Sequence, residues 1–125
     1  MREVLIRVGA VALRARLLET PTAERIWRAL PIYAATQTWG CEVYFTVPIT
    51  VELEPGAREV IEPGEIAFWP AGDAIAIGFG PTPISRRGEI RLASPGNIWA
   101  RALDDVACLR NVHAGERVAV LEADS

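Results

Sequence analysis

The first segment of the chain alternates between apolar and polar residues with a period of two, which is typical of a half-buried β-strand. Val4, Ile6 and Val8 share one face, and the same alternation resumes over residues 11–17 after a Gly-Ala pair. Glycine at the first central position of a two-residue turn favours a type II′ hairpin. The sequence therefore predicts that the chain opens with a β-hairpin.

The next segment changes to the period of an amphipathic helix. Thr20 is a residue that caps helix N-termini well, and Pro21 suits the first helical position, where no N–H donor is needed. The apolar residues then fall at helical spacing on one stripe, which comprises Ala23, Ile26, Trp27 and Leu30. Pro31 ends the pattern. We predict one main helix over about residues 20–30, with its apolar stripe packed on a sheet.

The remainder of the chain returns to a period of two, and proline and glycine mark turns between the apolar runs. Five further predicted strands or strand pairs are YAATQTWG (33–40), EVYFTV (42–47), GEIAFW with DAIAIGF (64–79), NIWARAL (97–103) and ERVAVLEA (116–123). A short second helical turn is predicted within residues 104–111. Seven or eight short strands with one or two short helices favour a mainly β fold, either a closed or nearly closed barrel or a sandwich.

Length and composition narrow the classes of protein. A chain of 125 residues, half of them hydrophobic, matches one domain spanning 1–125. The net charge of −3 argues against a nucleic-acid partner. All 13 basic residues are arginine, and the lack of lysine excludes Schiff-base chemistry and a phosphate-loop lysine. No signal peptide or apolar run of membrane length is evident, so we predict a cytoplasmic protein without a membrane partner.

Metal and cofactor chemistry finds little support in the sequence. His113 is the single histidine, and Cys41 and Cys108 lie far apart without a CxxC spacing. Zinc sites usually combine several such ligands at short spacing, so we expect no metal and no cofactor. The two cysteines are interpreted as reduced, packed thiols, and the sequence assigns them no further role.

Three segments in combination carry a family resemblance: TPTAERIWRALP (20–31), TWGCEVYF (38–45) and GEIAFWPAGDAIAIGFGPTP (64–83). They resemble the small bacterial and archaeal cyclophilin-like proteins, a family defined by its fold and without an assigned function. The resemblance covers nearly the whole chain and implies a compact barrel of about eight strands with one helix closing an end. True cyclophilins are prolyl isomerases with an arginine in a Phe-His-Arg string, and this chain has no such string. Only the fold is therefore carried over.

The strand DAIAIGF has one bulky face and one nearly bare face, which carries Ala74, Ala76 and Gly78. A bare face lets another backbone or a ligand come close. One interpretation is packing of a neighbouring strand or helix. The other is the floor of a cleft, with Trp69 and Trp39 as walls. A cleft bounded by Trp69, Phe79 and Tyr44 would support ligand binding.

Two neighbouring segments offer polar groups for such a cleft. Glu42 and Tyr44 form an acid–phenol pair on one strand face, which can orient a polar ligand or transfer a proton if the carboxyl group is desolvated. Thr82 and Pro83 leave the sheet in an extended segment, because proline cannot join a ladder. The alternatives are an outward polar face for the first pair and a rigid terminating loop for the second.

Three functions remain open at this stage. The first is a binding protein that holds a small molecule or a short peptide in a cleft at the side of the barrel. The second is a prolyl isomerase with a non-standard site, for which Arg58, chosen from its position between the family-like segments, is the hypothesised donor to the proline nitrogen. The third is a structural or interaction protein that forms a homodimer through a strand edge.

Overall fold

The computed structural model describes residues 1–123 and shows a mainly β protein. Its strands are β1 (Glu3–Val8), β2 (Val11–Leu17), β3 (Ile32–Ala35), β4 (Gln37–Thr38), β5 (Glu42–Thr46), β6 (Arg58–Ile61), β7 (Glu65–Trp69), β8 (Ala74–Gly78), β9 (Ile90–Ala102) and β10 (Arg117–Glu122). Helix α1 spans Pro21–Ala29, and two 3₁₀-helices span Pro70–Gly72 and Val106–Asn111. Nine strands have four residues or more and β4 has two, against the eight or so that the sequence predicted.

The strands form one antiparallel sheet in the order β3-β10-β1-β2-β9-β7-β8-β5-β4, and β6 pairs with β9 beside this path. Strands β3 and β5, near the two ends of this order, approach each other. The sheet is therefore a nearly closed barrel, and the prediction of a cyclophilin-like barrel rather than a sandwich is confirmed.

The two N-terminal elements form as their patterns predict. Gly9 has a φ of +58°, which the first central residue of a type II′ turn requires. The Thr20 hydroxyl accepts a hydrogen bond from the Ala23 N–H at 3.1 Å and caps α1. Helix α1 buries Ala23 and Ile26 against the barrel core, whose largest fully buried side chains are Trp99, Phe45 and Phe68.

Strand β9 changes partners in the middle. Its first residues, Ile90 and Arg91, pair with β6, whereas residues 97–102 pair with β7 and β2. Pro95 and Gly96 lie at the change, and a bulge interrupts the pairing with β6 there. Bulges bend a strand and increase its twist. The bend folds β6 and residues 90–95 across the outer face of the barrel, and we call these residues the outer flap.

The outer flap covers much of the bare face. Ile61, Ile90 and Leu92 of the flap form a second hydrophobic cluster with Ala67 and Ala76, separate from the main core. This packing is the first of the two interpretations that the bare face suggested. It does not cover the whole face, and the remainder borders a cavity.

The flap packs tightly against Gly78, where a Cβ would lie 2.5 Å from Cγ2 of Ile90. We expect Gly78→Ala to lower the free energy of unfolding by about 1 to 2 kcal/mol, because the branched Ile90 side chain must shift. Urea denaturation measures this loss. Gly56→Ala is the matched control, because a Cβ at Gly56 meets nothing within 4 Å. Equal stability of the two variants would contradict the packing described here.

Candidate functional site

A cavity of about 150 Å³ lies on the outer face of the barrel where the flap ends. Ala76 of β8 belongs to its floor, and the bulged part of β9 forms one side. The opposite side carries aromatic residues and one carboxyl group. The lining residues are Trp39, Glu42, Tyr44, Trp69, Ala76, Leu92, Ala93 and Ser94, and we call this space the outer cavity.

The tight turn between β4 and β5 places two of these residues. The Trp39 N–H donates to the Glu42 carbonyl at 3.0 Å, so the turn brings both residues to the same end of β5. Gly40 inside the turn has a φ of +58°, and a Cβ there would lie 2.8 Å from Cδ of Pro83. Only glycine fits this backbone position without strain.

The Gly-Pro-Thr-Pro segment (80–83) forms hydrogen bonds to the segments on two sides of the cavity. The Pro81 carbonyl accepts a hydrogen bond from the Cys41 N–H at 2.9 Å, which fixes the β4–β5 turn. The Thr82 hydroxyl, which is buried, donates to the Arg91 carbonyl at 2.5 Å and so fixes the flap beside Leu92. Pro81 and Thr82 therefore hold the two sides of the cavity in place. Neither Thr82 nor Pro83 is among the residues that line it.

Glu42 is the most unusual group in the cavity. Its side chain is only 6% exposed, and its Oε1 atom has no hydrogen-bond partner among the described residues. Burial raises the pKa of Glu42 to about 7, since desolvation disfavours the charged form. Near neutral pH this carboxyl group therefore exists in both its protonated and its ionised form, and it can donate or accept a proton.

A second polar atom in the cavity wall is also without a partner. The Nε1–H group of Trp69 is buried and makes no hydrogen bond within residues 1–123. The Tyr44 hydroxyl, by contrast, lies 2.8 Å from Oε1 of Gln37, to which it donates. Buried polar groups are nearly always hydrogen-bonded in proteins, so unpaired ones on two residues that line the same cavity call for an explanation.

The structure places the other predicted residues elsewhere. Phe79 packs against the main core. Arg58 donates to Oε2 of Glu65 at 2.5 Å, and Glu65 is 3% exposed. Although burial raises the pKa of Glu65, its hydrogen bonds to Arg58 and to the Glu62 N–H, with the charges of Arg58 and Arg101, lower it overall. Arg58 therefore pairs with a buried carboxylate from an exposed position and does not line the outer cavity.

Sequence reasoning missed one whole side of the cavity. Leu92, Ala93 and Ser94 line it, but they precede a Pro-Gly pair that looks like a turn between strands. Of the eight predicted candidates, the structure brings four together around one cavity: Trp39, Glu42, Tyr44 and Trp69.

A larger groove of about 990 Å³ lies between the N-terminus, the start of α1 and the end of β9. Four of its charged lining residues take part in ion pairs: Arg2 pairs with Glu24, Arg16 with Glu3 at 3.3 Å, and Arg101 with Glu65 at 3.6 Å. The two residues with the buried unpaired atoms described above, Glu42 and Trp69, line the smaller outer cavity. The outer cavity is therefore the stronger candidate site.

Two further features, a metal-ligand cluster and a membrane-spanning helix, are absent from residues 1–123. No group of three or more His, Cys, Asp or Glu side chains in this range is arranged to hold a metal ion. No helix in the same range has the length and apolar character to cross a membrane. Cys41 and Cys108 are both free and half-buried, and burial raises the pKa of the Cys108 thiol.

Comparison with known proteins identifies a matching family model and two solved structures with a similar fold. A family model described as cyclophilin-like matches residues 2–121. The solution structure of the hypothetical protein AF2241 from Archaeoglobus fulgidus is 37% identical and has a TM-score of 0.82, and the match covers 98% of this chain and 95% of that chain. The structure of McbB in complex with tryptophan has a TM-score of 0.74 but only 15% identity, so the likeness shows the fold alone. That match covers 98% of this chain and 45% of McbB. No curated protein matches.

Proposed function

The chain belongs to the cyclophilin-like family, and from that premise we propose that it is a binding protein whose outer cavity holds one small group of a metabolite or of a short peptide. The observation that carries the proposal is that Glu42 and Trp69, each with a buried polar atom that has no partner among the described residues, both line a largely apolar and aromatic cavity. Ligand sites combine an apolar lining with a few convergent polar groups.

The size of the cavity limits what enters it. A cavity of about 150 Å³ is comparable to an engineered protein cavity that accepts benzene. One ring or one branched alkyl group therefore fills it, and the rest of a larger ligand lies outside. Tryptophan, which is bound in the McbB structure, presents a ring together with charged groups and is a natural member of a ligand panel.

The isomerase and homodimer hypotheses stay predictions. Prolyl isomerisation is favoured by a donor aimed at the proline nitrogen, and Arg58, the hypothesised donor, is instead paired with Glu65. A protease-coupled assay with Xaa-Pro peptides measures this activity directly. Sedimentation tests the homodimer.

A thermal-shift panel of amines, amino acids including tryptophan, and short peptides tests the binding proposal. We expect at least one compound to stabilise the protein, by about 2.7 kcal/mol at a hundred times its Kd. Ala76→Leu should abolish the shift because the new side chain fills the floor of the cavity. Trp39→Ala provides a second test, because it removes a half-buried wall residue outside the core.

The matched control for these variants is Tyr33→Ala, which removes an aromatic ring that is 69% exposed and does not line the cavity. Tyr33→Ala should leave the ligand shift unchanged. A shift that persists in both Ala76→Leu and Trp39→Ala would place the ligand elsewhere. A full panel without any shift of the wild-type protein would defeat the proposal.

A further inference from the structure

The walls of the outer cavity combine three aromatic side chains with one acid. Trp39, Tyr44 and Trp69 line it together with Glu42, and no arginine is among its lining residues. Aromatic rings attract cations through their quadrupoles, and tryptophan does so most strongly. Cages of several aromatic side chains are the means by which proteins recognise quaternary ammonium groups.

Among the described residues, Glu42 differs from the other buried glutamate, Glu65, because it has no cationic partner. Both side chains are nearly fully buried, at 6% and 3% exposed. Glu65 has two cationic partners, Arg58 at 2.5 Å and Arg101 at 3.6 Å. Glu42 has no ion pair among the described residues, and its Oε1 has no hydrogen bond. An ionised carboxylate buried without a partner is costly, and a bound cation removes that cost.

The three aromatic side chains and the buried acid together define the ligand. We propose that the outer cavity is an aromatic cage for an alkylammonium group, with Glu42 as its counter-ion. The inference rests on the proposed function and names its ligand class.

A pH dependence of binding follows from the cage. Glu42 and Tyr44 are the titratable groups in its lining, and the neighbouring Arg91 of the flap is paired with Glu89 and Glu59. Because a bound cation favours the ionised form of Glu42, whose pKa is about 7, binding releases a proton. The affinity for a quaternary ammonium ion should therefore rise about tenfold from pH 6 to pH 8.

The test compares choline with its neutral isostere 3,3-dimethylbutan-1-ol by NMR titration, with ionic strength held constant by sodium chloride. At pH 8 we expect choline to bind at least about tenfold more tightly than the isostere, since the isostere lacks the charge. Glu42→Gln and Trp39→Ala should each remove most of this preference. Tyr33→Ala should preserve it.

The outcomes separate this inference from the proposed function. Equal binding of choline and its isostere would leave a binding cavity but overturn the cation cage. Binding of another panel compound but not of choline would likewise support a binding cavity and overturn the cation cage. Choline binding that is unchanged in Glu42→Gln would also overturn the inference, whereas a complete lack of binding across the panel would overturn both proposals.

Discussion

Replacement of Glu42 by glutamine is expected to raise the free energy of unfolding at pH 8 by about 2 to 3 kcal/mol. Burial raises the pKa of Glu42 from 4.5 to about 7, so at pH 8 the folded protein holds a desolvated charge. Glutamine has nearly the same shape without the charge. Urea denaturation of both proteins between pH 5 and pH 8 measures the difference.

The sign of the effect follows from proton linkage. Between pH 4.5 and about pH 7 the folded state binds more protons at Glu42 than the unfolded state does, so stability falls as pH rises. The contribution is fully present below pH 4.5 and is lost above about pH 7. Glu65, whose pKa is lowered, has the opposite effect at more acidic pH, where its protonation removes stability. The two effects are therefore separated on the pH scale.

The matched control is Glu122→Gln, at an exposed position near the end of β10. Exposed substitutions usually change stability by less than about 0.5 kcal/mol. The stability difference between wild type and Glu42→Gln should shrink towards pH 5. Parallel stability profiles across this range, or a less stable Glu42→Gln variant at pH 8, would contradict the environment described for Glu42.

Replacement of Asn97 by alanine is expected to lower the free energy of unfolding by about 3 kcal/mol. Asn97 is 1% exposed, and its amide group donates to Oγ1 of Thr22 at 3.0 Å and to the Glu52 carbonyl at 2.9 Å. It also accepts from the Glu54 N–H at 2.8 Å. Residues 47–57 contain no helix or strand, so this one side chain attaches an irregular segment to both β9 and α1.

Glu54 adds a direct contact to the same network. Its carboxylate accepts hydrogen bonds from both the N–H and the hydroxyl group of Thr22 at the start of α1. Loss of Asn97 should therefore also expose residues 47–57 to proteolysis, which limited digestion detects. Asn111→Ala, at an exposed position, is the control. A loss below about 1 kcal/mol in Asn97→Ala would show that the network is not required.

The sequence predicted the parts of the fold whose periodicity is local. The N-terminal hairpin, α1 and the β7–β8 hairpin each combine a clear period with a suitable turn or cap residue, and all three are present. The short helical turn predicted within residues 104–111 is the 3₁₀-helix Val106–Asn111. These elements need no information from distant parts of the chain.

The outer flap could not be predicted in this way. Strand β6 is four residues long, with few buried positions, and its pairing with β9 depends on contacts about 30 residues away in the sequence. Pro95 and Gly96 are the residues of a turn, but here they bend a continuous strand. The interpretation of the bare face depended on this flap, so both alternatives stayed open until its position was known.

The candidate site also combines features that the sequence can predict with features that depend on the three-dimensional fold. Trp39, Glu42 and Tyr44 are close in sequence, and Trp69 joins them because β8 lies between β5 and β7. The lack of an ion pair at Glu42 could not be predicted, because it depends on where each arginine is directed. Arg58 illustrates the point, since its partner Glu65 is seven residues away on the next strand along the chain.

The separation of the two hydrophobic clusters bears on the motions of the protein. The small cluster beneath the outer flap comprises few buried residues, whereas the main core extends through the whole barrel. Segments with few buried contacts open at lower free energy than the global unfolding transition. We therefore expect the flap to open at a lower free energy than the barrel unfolds, and such an opening would widen the entrance to the outer cavity.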